Sequence, residues 1–239
     1  LLYKGYTIQP YSPAAGTGLS SHELNQPGCY RDVKDTTVTA QFAIPAADWK
    51  VLAEKADLPK EAWGKPCFVA WTTTPWTLPS NVALCVGPKI EYDIIETYNP
   101  YDAEKLTLVM ASSRVAAYLK PEGEITDGGE LPPYERGDKY VPYRVVARLT
   151  GTELEGLHYR QLMPWVKPVE KTGELAPKFV NDYAAAHPEK VFTGEDGRDR
   201  FVEMESEAFR IILGDYVTTE DGTGIVHIAP TFGADDAKV

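Results

Sequence analysis

The chain has 239 residues, 43% of them hydrophobic, enough for a packed core, which excludes an intrinsically disordered chain. Its 24 basic and 35 acidic residues give a formal net charge of -11, which excludes a free-standing nucleic-acid binder, because phosphate contacts need clustered Lys and Arg. A module that meets nucleic acid while another part holds the polymer stays open, and the length suits one large domain or two small ones.

Residues 1–30 are rich in Pro, Gly, Ser and Tyr with little periodicity, and are expected to form a connecting arm with short strands. The sequence opens without Met, within a strand-like run, which leads us to expect a piece of a larger protein. "TTVTAQFAI" (36–44) alternates and is β-branched, so it is predicted to be a strand. "PAADWKVLAEKA" (45–56) is predicted to be a helix with proline at its start. "CFVAW" (67–71) and "NVALCVG" (81–87) read as short apolar strands flanking "WTTTPWTLPSN" (71–81). "EYDIIETY" and "KLTLVMA" follow as a strand pair, and "SRVAAYL" as a short helix. Prolines and glycines crowd 121–142, a surface loop. "YRVVARLTG" (143–151) is a strand, and "APKFVNDYAAAHPEKV" begins with turns and holds a short helix. An apolar run, the turn-rich "TEDGTG" and the strand "IVHIA" close the pattern. Many short strands with few helices predict a mainly-β, α+β fold: a closed β-barrel core with peripheral helices.

Three scattered cysteines, Cys29, Cys67 and Cys85, show no CxxC spacing. Neither metal ligation nor a disulfide framework is expected, and a reducing, cytoplasmic compartment fits. No signal peptide is recognisable, and no apolar run approaches the ~20 residues of a membrane helix.

The stretch 71–81 holds four threonines, two tryptophans and two prolines. Threonine offers a hydroxyl that both donates and accepts on a side chain stiff at its first torsion, and proline holds its predecessor extended. Alternation puts Thr72 and Thr74 on one side and Thr73 on the other. A rigid, aromatic-walled row of hydroxyls is one reading; a strand-capping turn with core tryptophans is the other, and spacing alone leaves both open. In "GTGIVHIAPTFGADD" (222–236), His227 lies within a strand, with Val226 and Ile228 expected on the opposite face. It pairs with Asp235 or Asp236 either as a base with its orienter or as a plain structural hydrogen bond. There is no GxSxG, HExxH or phosphate-cradling loop. An enzyme built on these residues would use positioned water, with hydroxyls and backbone donors stabilising developing charge.

Taken together, "WTTTPWTLPSNVAL" and "GTGIVHIAPTFGADD" resemble the editing domain of isoleucyl-tRNA synthetases, the insertion that splits a class I catalytic domain. The Thr-Pro-Trp-Thr form points to the isoleucyl rather than the valyl or leucyl branch. "YKGYTIQPYSPAAGTGLSSHEL" resembles the segment leading into that insertion. The resemblance implies 1–30 as the arm from the synthetase body and 31–239 as the editing domain. It implies a hydrolytic pocket lined by Trp71, Thr72, Thr73, Thr74, Trp76, Thr77 and Asn81, with Thr72, Thr73, Thr74 and Asn81 nearest the chemistry. It further implies His227 bounding the side-chain pocket and Asp236 binding the substrate's α-ammonium group, with Asp235 solvated. The implied reaction is hydrolysis of Val-tRNA(Ile), with valyl-adenylate as a second candidate substrate. No cofactor or metal is implied. The implied partners are the 3′ end of aminoacylated tRNA(Ile) and the catalytic body of the same synthetase, in a monomer away from membranes. A non-catalytic β-barrel binding module and a purely structural insertion are the rival readings.

Overall fold

The computed structural model describes residues 9–32, 34–204, 207–230, 232–233 and 236. The start of the expected arm, residues 1–8, and Asp235 lie outside them. In the arm, β1 (Tyr11–Ser12) and β2 (Thr17–Gly18) form a small hairpin, followed by α1 (Ser21–Leu24). Ser20 and Glu23 close a capping box around the start of α1, satisfying donors that so short a helix leaves open. None of residues 9–32 is buried.

The alternating run becomes β3 (Val38–Ala43), and the helix after Pro45 is α2 (Ala46–Lys55), burying Trp49, Leu52 and Ala53. Next come β4 (Lys65–Thr72), β5 (Ala83–Val86), β6 (Glu91–Tyr98) and β7 (Lys105–Ala111). The last two are the expected antiparallel pair. "SRVAAYL" divides into a 3₁₀ turn and α3 (Val115–Tyr118). The proline-rich loop is not wholly superficial, because Leu131 and Tyr134 are buried against Tyr98. β8 (Tyr143–Thr150) leads into α4 (Gly151–Leu154).

A three-stranded module not foreseen from sequence follows. Its strands are β9 (Val169–Lys171), β10 (Val191–Thr193) and β11 (Arg200–Glu203), with α5 (Lys178–Ala186) between the first two. The chain ends with β12 (Arg210–Leu213) and β13 (Ile225–Ile228).

The expectation of a mainly-β fold with peripheral helices is met, but closure into a barrel is not seen among the described residues. One sheet runs β3-β4-β7-β6-β8, and its end strands do not pair with each other; a second runs β12-β5-β13. The reason lies in β4. Its residues 65–68 pair in parallel with β7, while β13 packs beside β4. Where β7 ends, the Ala111 N–H donates to the Thr223 carbonyl at 2.9 Å. β4 pairs with β3 and β7 alone, and β13 lies beside it without a ladder among the described residues, so the two sheets meet there without closing into one. β4 is buried on both faces: Phe68 and Ala70 enter the main core, Cys67 and Val69 a second one. That burial explains its continuous apolar run. Among the described residues no helix is long and apolar enough to cross a membrane.

Candidate functional site

The threonine stretch begins as the end of β4 and finishes as a 3₁₀ turn, Pro75–Ser80, with proline at its first turn. Thr74 has φ -123 and ψ 66, short of the extension expected before proline. The chain is already turning there, since the Thr77 N–H donates to the Thr74 carbonyl at 3.0 Å. The alternation holds nonetheless. The Thr72 and Thr74 hydroxyls are 3.2 Å apart, and the Thr74 N–H donates to the Thr72 hydroxyl at 3.0 Å, whereas Thr73 is exposed.

β13 runs antiparallel to β5 and sets His227 opposite Leu84. Ile225 belongs to the main core, while Val226 and Ile228 pack into a separate cluster. The predicted two-faced strand is therefore what forms, with His227 on the main-core side. The turn and β13 meet where the Thr77 hydroxyl and His227 Nε2 lie 3.0 Å apart, across 150 residues of sequence.

Proton directions follow from the acceptors. The Thr77 hydroxyl has one proton, and the Thr74 carbonyl, 2.8 Å away, can only accept it. In the arrangement that spends this proton on the carbonyl, Nε2 carries the ring proton and donates to Thr77. The Thr74 hydroxyl, 3.4 Å from that of Thr77, completes the row by donating to it, and Thr72 donates to Thr74. His227 Nδ1 is left as a buried acceptor without a partner. Burial pushes the imidazole below its usual 6.5, and nearby Asp236 offsets part of that shift. A neutral ring with Nε2 committed to Thr77 is a fixed wall. It is poorly placed as a proton acceptor.

Around this row lies an open cleft of about 440 Å³, lined by Trp71, Thr72, Thr73, Thr74, Trp76, Thr77, His227 and Asp236. Eight of the nine sequence-derived site residues therefore come together. Asn81 does not. It is buried, its amide donates to the Ala83 carbonyl at 2.8 Å, and it accepts from the Tyr159 hydroxyl at 2.6 Å. Its hydrogen bonds pin the far end of the 3₁₀ turn, a positional role. Trp76 is 59% exposed and stands at the mouth. Asp236 Oδ2 accepts a long hydrogen bond, 3.4 Å, from the Ala229 N–H, so most of its capacity stays available.

Sequence reasoning missed the opposite wall, made by Tyr216, Thr218, Asp221, Gly222 and Thr223, together with Phe232. A signal was present in "TEDGTG". Gly222 has φ +67, and a Cβ there would sit 3.1 Å from the Trp71 ring; Gly224 has φ +74, and a Cβ there would sit 2.4 Å from the Ala111 methyl. Only glycine lets the backbone approach both so closely. Among the described residues no group of three His, Cys, Asp or Glu is arranged to hold a metal ion.

No family model matches the chain. The isoleucine–tRNA ligase of Bacteroides thetaiotaomicron is 54% identical to it over 239 residues, all of this chain and 17% of that protein. That of Porphyromonas gingivalis is 50% identical over 240 residues, again 100% of this chain and 17% of the protein. This chain matches one segment of the isoleucine–tRNA ligases. It spans only about one-sixth of the relatives' length, the 17% just given. The match bears out the isoleucyl branch indicated by Thr-Pro-Trp-Thr. Among solved structures, the fold is similar to a Plasmodium falciparum cytosolic leucyl-tRNA synthetase editing domain, with a TM-score of 0.52 at 9% identity, covering 85% of this chain and 64% of that one. At that identity the likeness concerns the fold alone.

Proposed function

We propose that the cleft is a hydrolytic editing site that cleaves the ester of Val-tRNA(Ile), with valyl-adenylate as a second substrate. The observation that carries this reading is the directed hydroxyl row from Thr72 to His227, joining two segments far apart in sequence inside one cleft. In this reading water attacks the ester carbonyl, the acyl C–O bond breaks, and the ribose oxygen leaves with a proton. The Thr72, Thr74 and Thr77 hydroxyls lie beside the reacting carbonyl in this reading, and a hydroxyl turned out of the row towards the developing charge stabilises it. Asp236 holds the substrate ammonium by a charge-assisted hydrogen bond. The imidazole of His227 is the wall that isoleucine's extra methylene strikes.

Such a second pocket has an energetic reason. One methylene in an apolar pocket is worth about 1–3 kcal/mol, a general figure of which the isoleucine-over-valine choice of these synthetases is itself the usual illustration. A site that measures the side chain by collision adds discrimination that binding alone lacks. Residues 1–30 are taken as the arm from the synthetase body and 31–239 as the editing domain, acting in the cytoplasm within a monomer. With net charge -11, this segment releases few counterions on contact with tRNA, so the body supplies most of the affinity.

The test is Asp236→Ala in the full-length synthetase, with deacylation of Val-tRNA(Ile) and aminoacylation measured side by side. We expect deacylation to be lost and aminoacylation kept. Clearance of Val-tRNA(Ile) at the parental rate would refute the assignment.

A further inference from the structure

The cleft wall facing the threonine row is the connection from β12 to β13, residues 214–224, anchored at its start, where Val217 packs with Ala83, Cys85 and Ile228 and Tyr216 bonds Cys85. Asp215, Tyr216, Thr218, Glu220 and Asp221 are exposed, and Val217 and Thr223 are its buried side chains outside the glycines. The later part, 220–224, is held by its carbonyls from outside the connection. Arg114, just before α3, donates from Nε to the Gly222 carbonyl at 2.7 Å and from Nη1 to the Glu220 carbonyl at 3.0 Å. The Ala111 N–H takes the Thr223 carbonyl at 2.9 Å, and the Tyr92 hydroxyl takes that of Gly224 at 2.8 Å. Arg114 has no carboxylate partner within salt-bridge distance among the described residues, so its charge is directed at two backbone carbonyls. It is half-buried and does not line the cleft.

The platform beneath Arg114 is itself fixed. Two residues earlier, Ser112 donates to Asp93 at 2.6 Å, and Asp93, 2% exposed, is held by Arg148 at 2.7 Å. The guanidinium therefore stands on a rigid base and presents a planar fork to carbonyls two residues apart. An ammonium offers a point charge and cannot reproduce that spacing. With Gly222 drawn onto the Trp71 ring, the fork sets how far the Tyr216–Asp221 wall stands from the threonines.

We propose that Arg114 is a positioning residue of the cleft: its two-carbonyl clamp on residues 220 and 222 sets the cleft's width, and through it the fit of the aminoacyl group. This rests on the editing reading above. The experiment introduces Arg114→Ala and Arg114→Lys separately into the full-length synthetase. It measures kcat and KM for deacylation of Val-tRNA(Ile), the hydrolysis of Ile-tRNA(Ile), and amide hydrogen exchange across 214–224. Losing two hydrogen bonds to a charged group predicts exchange in that segment faster by about tenfold or more. It also predicts a fall of about tenfold in kcat/KM on Val-tRNA(Ile), carried mainly by KM, and a rise on Ile-tRNA(Ile). Arg114→Lys should resemble Arg114→Ala. Parental exchange in the segment, parental kinetics despite faster exchange, or full rescue by lysine would each overturn the proposal. If the parent enzyme itself does not deacylate Val-tRNA(Ile), the editing reading fails, and the positioning of its substrate fails with it. The exchange data still decide separately whether Arg114 clamps the wall.

Discussion

Two concavities among the described residues differ in how their polar groups meet, and the larger of the two is not where distant segments converge. A cavity of about 590 Å³ lies in the β9-β11-β10 module, lined by Thr172, Asn181, Arg198 and Arg200 among others. The cleft at the threonine row is about 440 Å³. In the outlying cavity the polar bonds are neighbourly: Asn181 bonds both backbone groups of Gly173, and the Thr172 hydroxyl donates to the Arg200 carbonyl. In the cleft, polar groups converge from opposite ends of the sequence, and a buried imidazole nitrogen is left without a partner. An unsatisfied buried acceptor costs stability, and convergence of this kind is not needed for a fold to stand. It is the reason the proposed site is placed at the smaller cleft rather than at the larger cavity.

The largest effect that sharpens the contrast is expected from Thr77→Val. It removes the hydroxyl that links the turn to β13 and leaves the His227 Nε2 without its partner, while the Thr74 carbonyl keeps the backbone N–H of residue 77. Deacylation of Val-tRNA(Ile) in the full-length enzyme should fall about 10²-fold, and stability should drop by about 1–3 kcal/mol. A parental rate would mean that the row is structural only.

His227→Ala should raise hydrolysis of Ile-tRNA(Ile) by about tenfold or more while changing Val-tRNA(Ile) little, because the wall is gone. Both activities falling together by about 10²–10⁴-fold would instead make His227 a general base. Early melting with unchanged selectivity would make it a core residue.

On the other side of the comparison, Val202 is fully buried in the small core with Val180 and Met204. Val202→Ala should destabilise the module by about 0.5–3 kcal/mol and leave deacylation within about twofold of the parent. A larger kinetic loss would show that the module reaches the cleft.

The smallest effect concerns pH. His227 is held neutral, its pKa below the usual 6.5. Above 6.5 neither the folded nor the unfolded state protonates the ring, and this group makes stability independent of pH. As pH falls from 6.5 towards the lowered folded value, the unfolded chain takes up the proton first, and stability declines by at most about 1.4 kcal/mol per unit. His227→Gln should flatten that part of the curve. Melting temperatures of both proteins between pH 7.5 and 5 check it.

Legibility in the sequence followed local pattern. β6 and β7 coincide with "EYDIIETY" and "KLTLVMA", short apolar runs rich in β-branched and aromatic residues and bounded by turn residues, which suits strands buried on both faces. β9 was invisible because its three residues are all exposed and carry no pattern. Barrel closure was over-read, because sequence shows that strands exist but not that β13 pairs with β5 and only packs beside β4. At the site, the row and His227 were legible as motifs. Asn81 was misplaced because belonging to the motif says nothing of direction: the turn swings it inward to Tyr159. The wall at Tyr216 and Asp221 was missed because exposed loop residues carry no periodicity that says which cleft they line.

The order β12-β5-β13 also bears on how the molecule comes into being. Its middle strand, Ala83–Val86, acquires both neighbours only from the far end of the chain. Closing loops that long carries an entropic cost that grows with the logarithm of their length, and topologies rich in such contacts fold slowly. During synthesis the threonine segment therefore leaves the ribosome well before its partner strand. The cleft that joins Thr77 to His227 is among the last features this segment acquires as it is made.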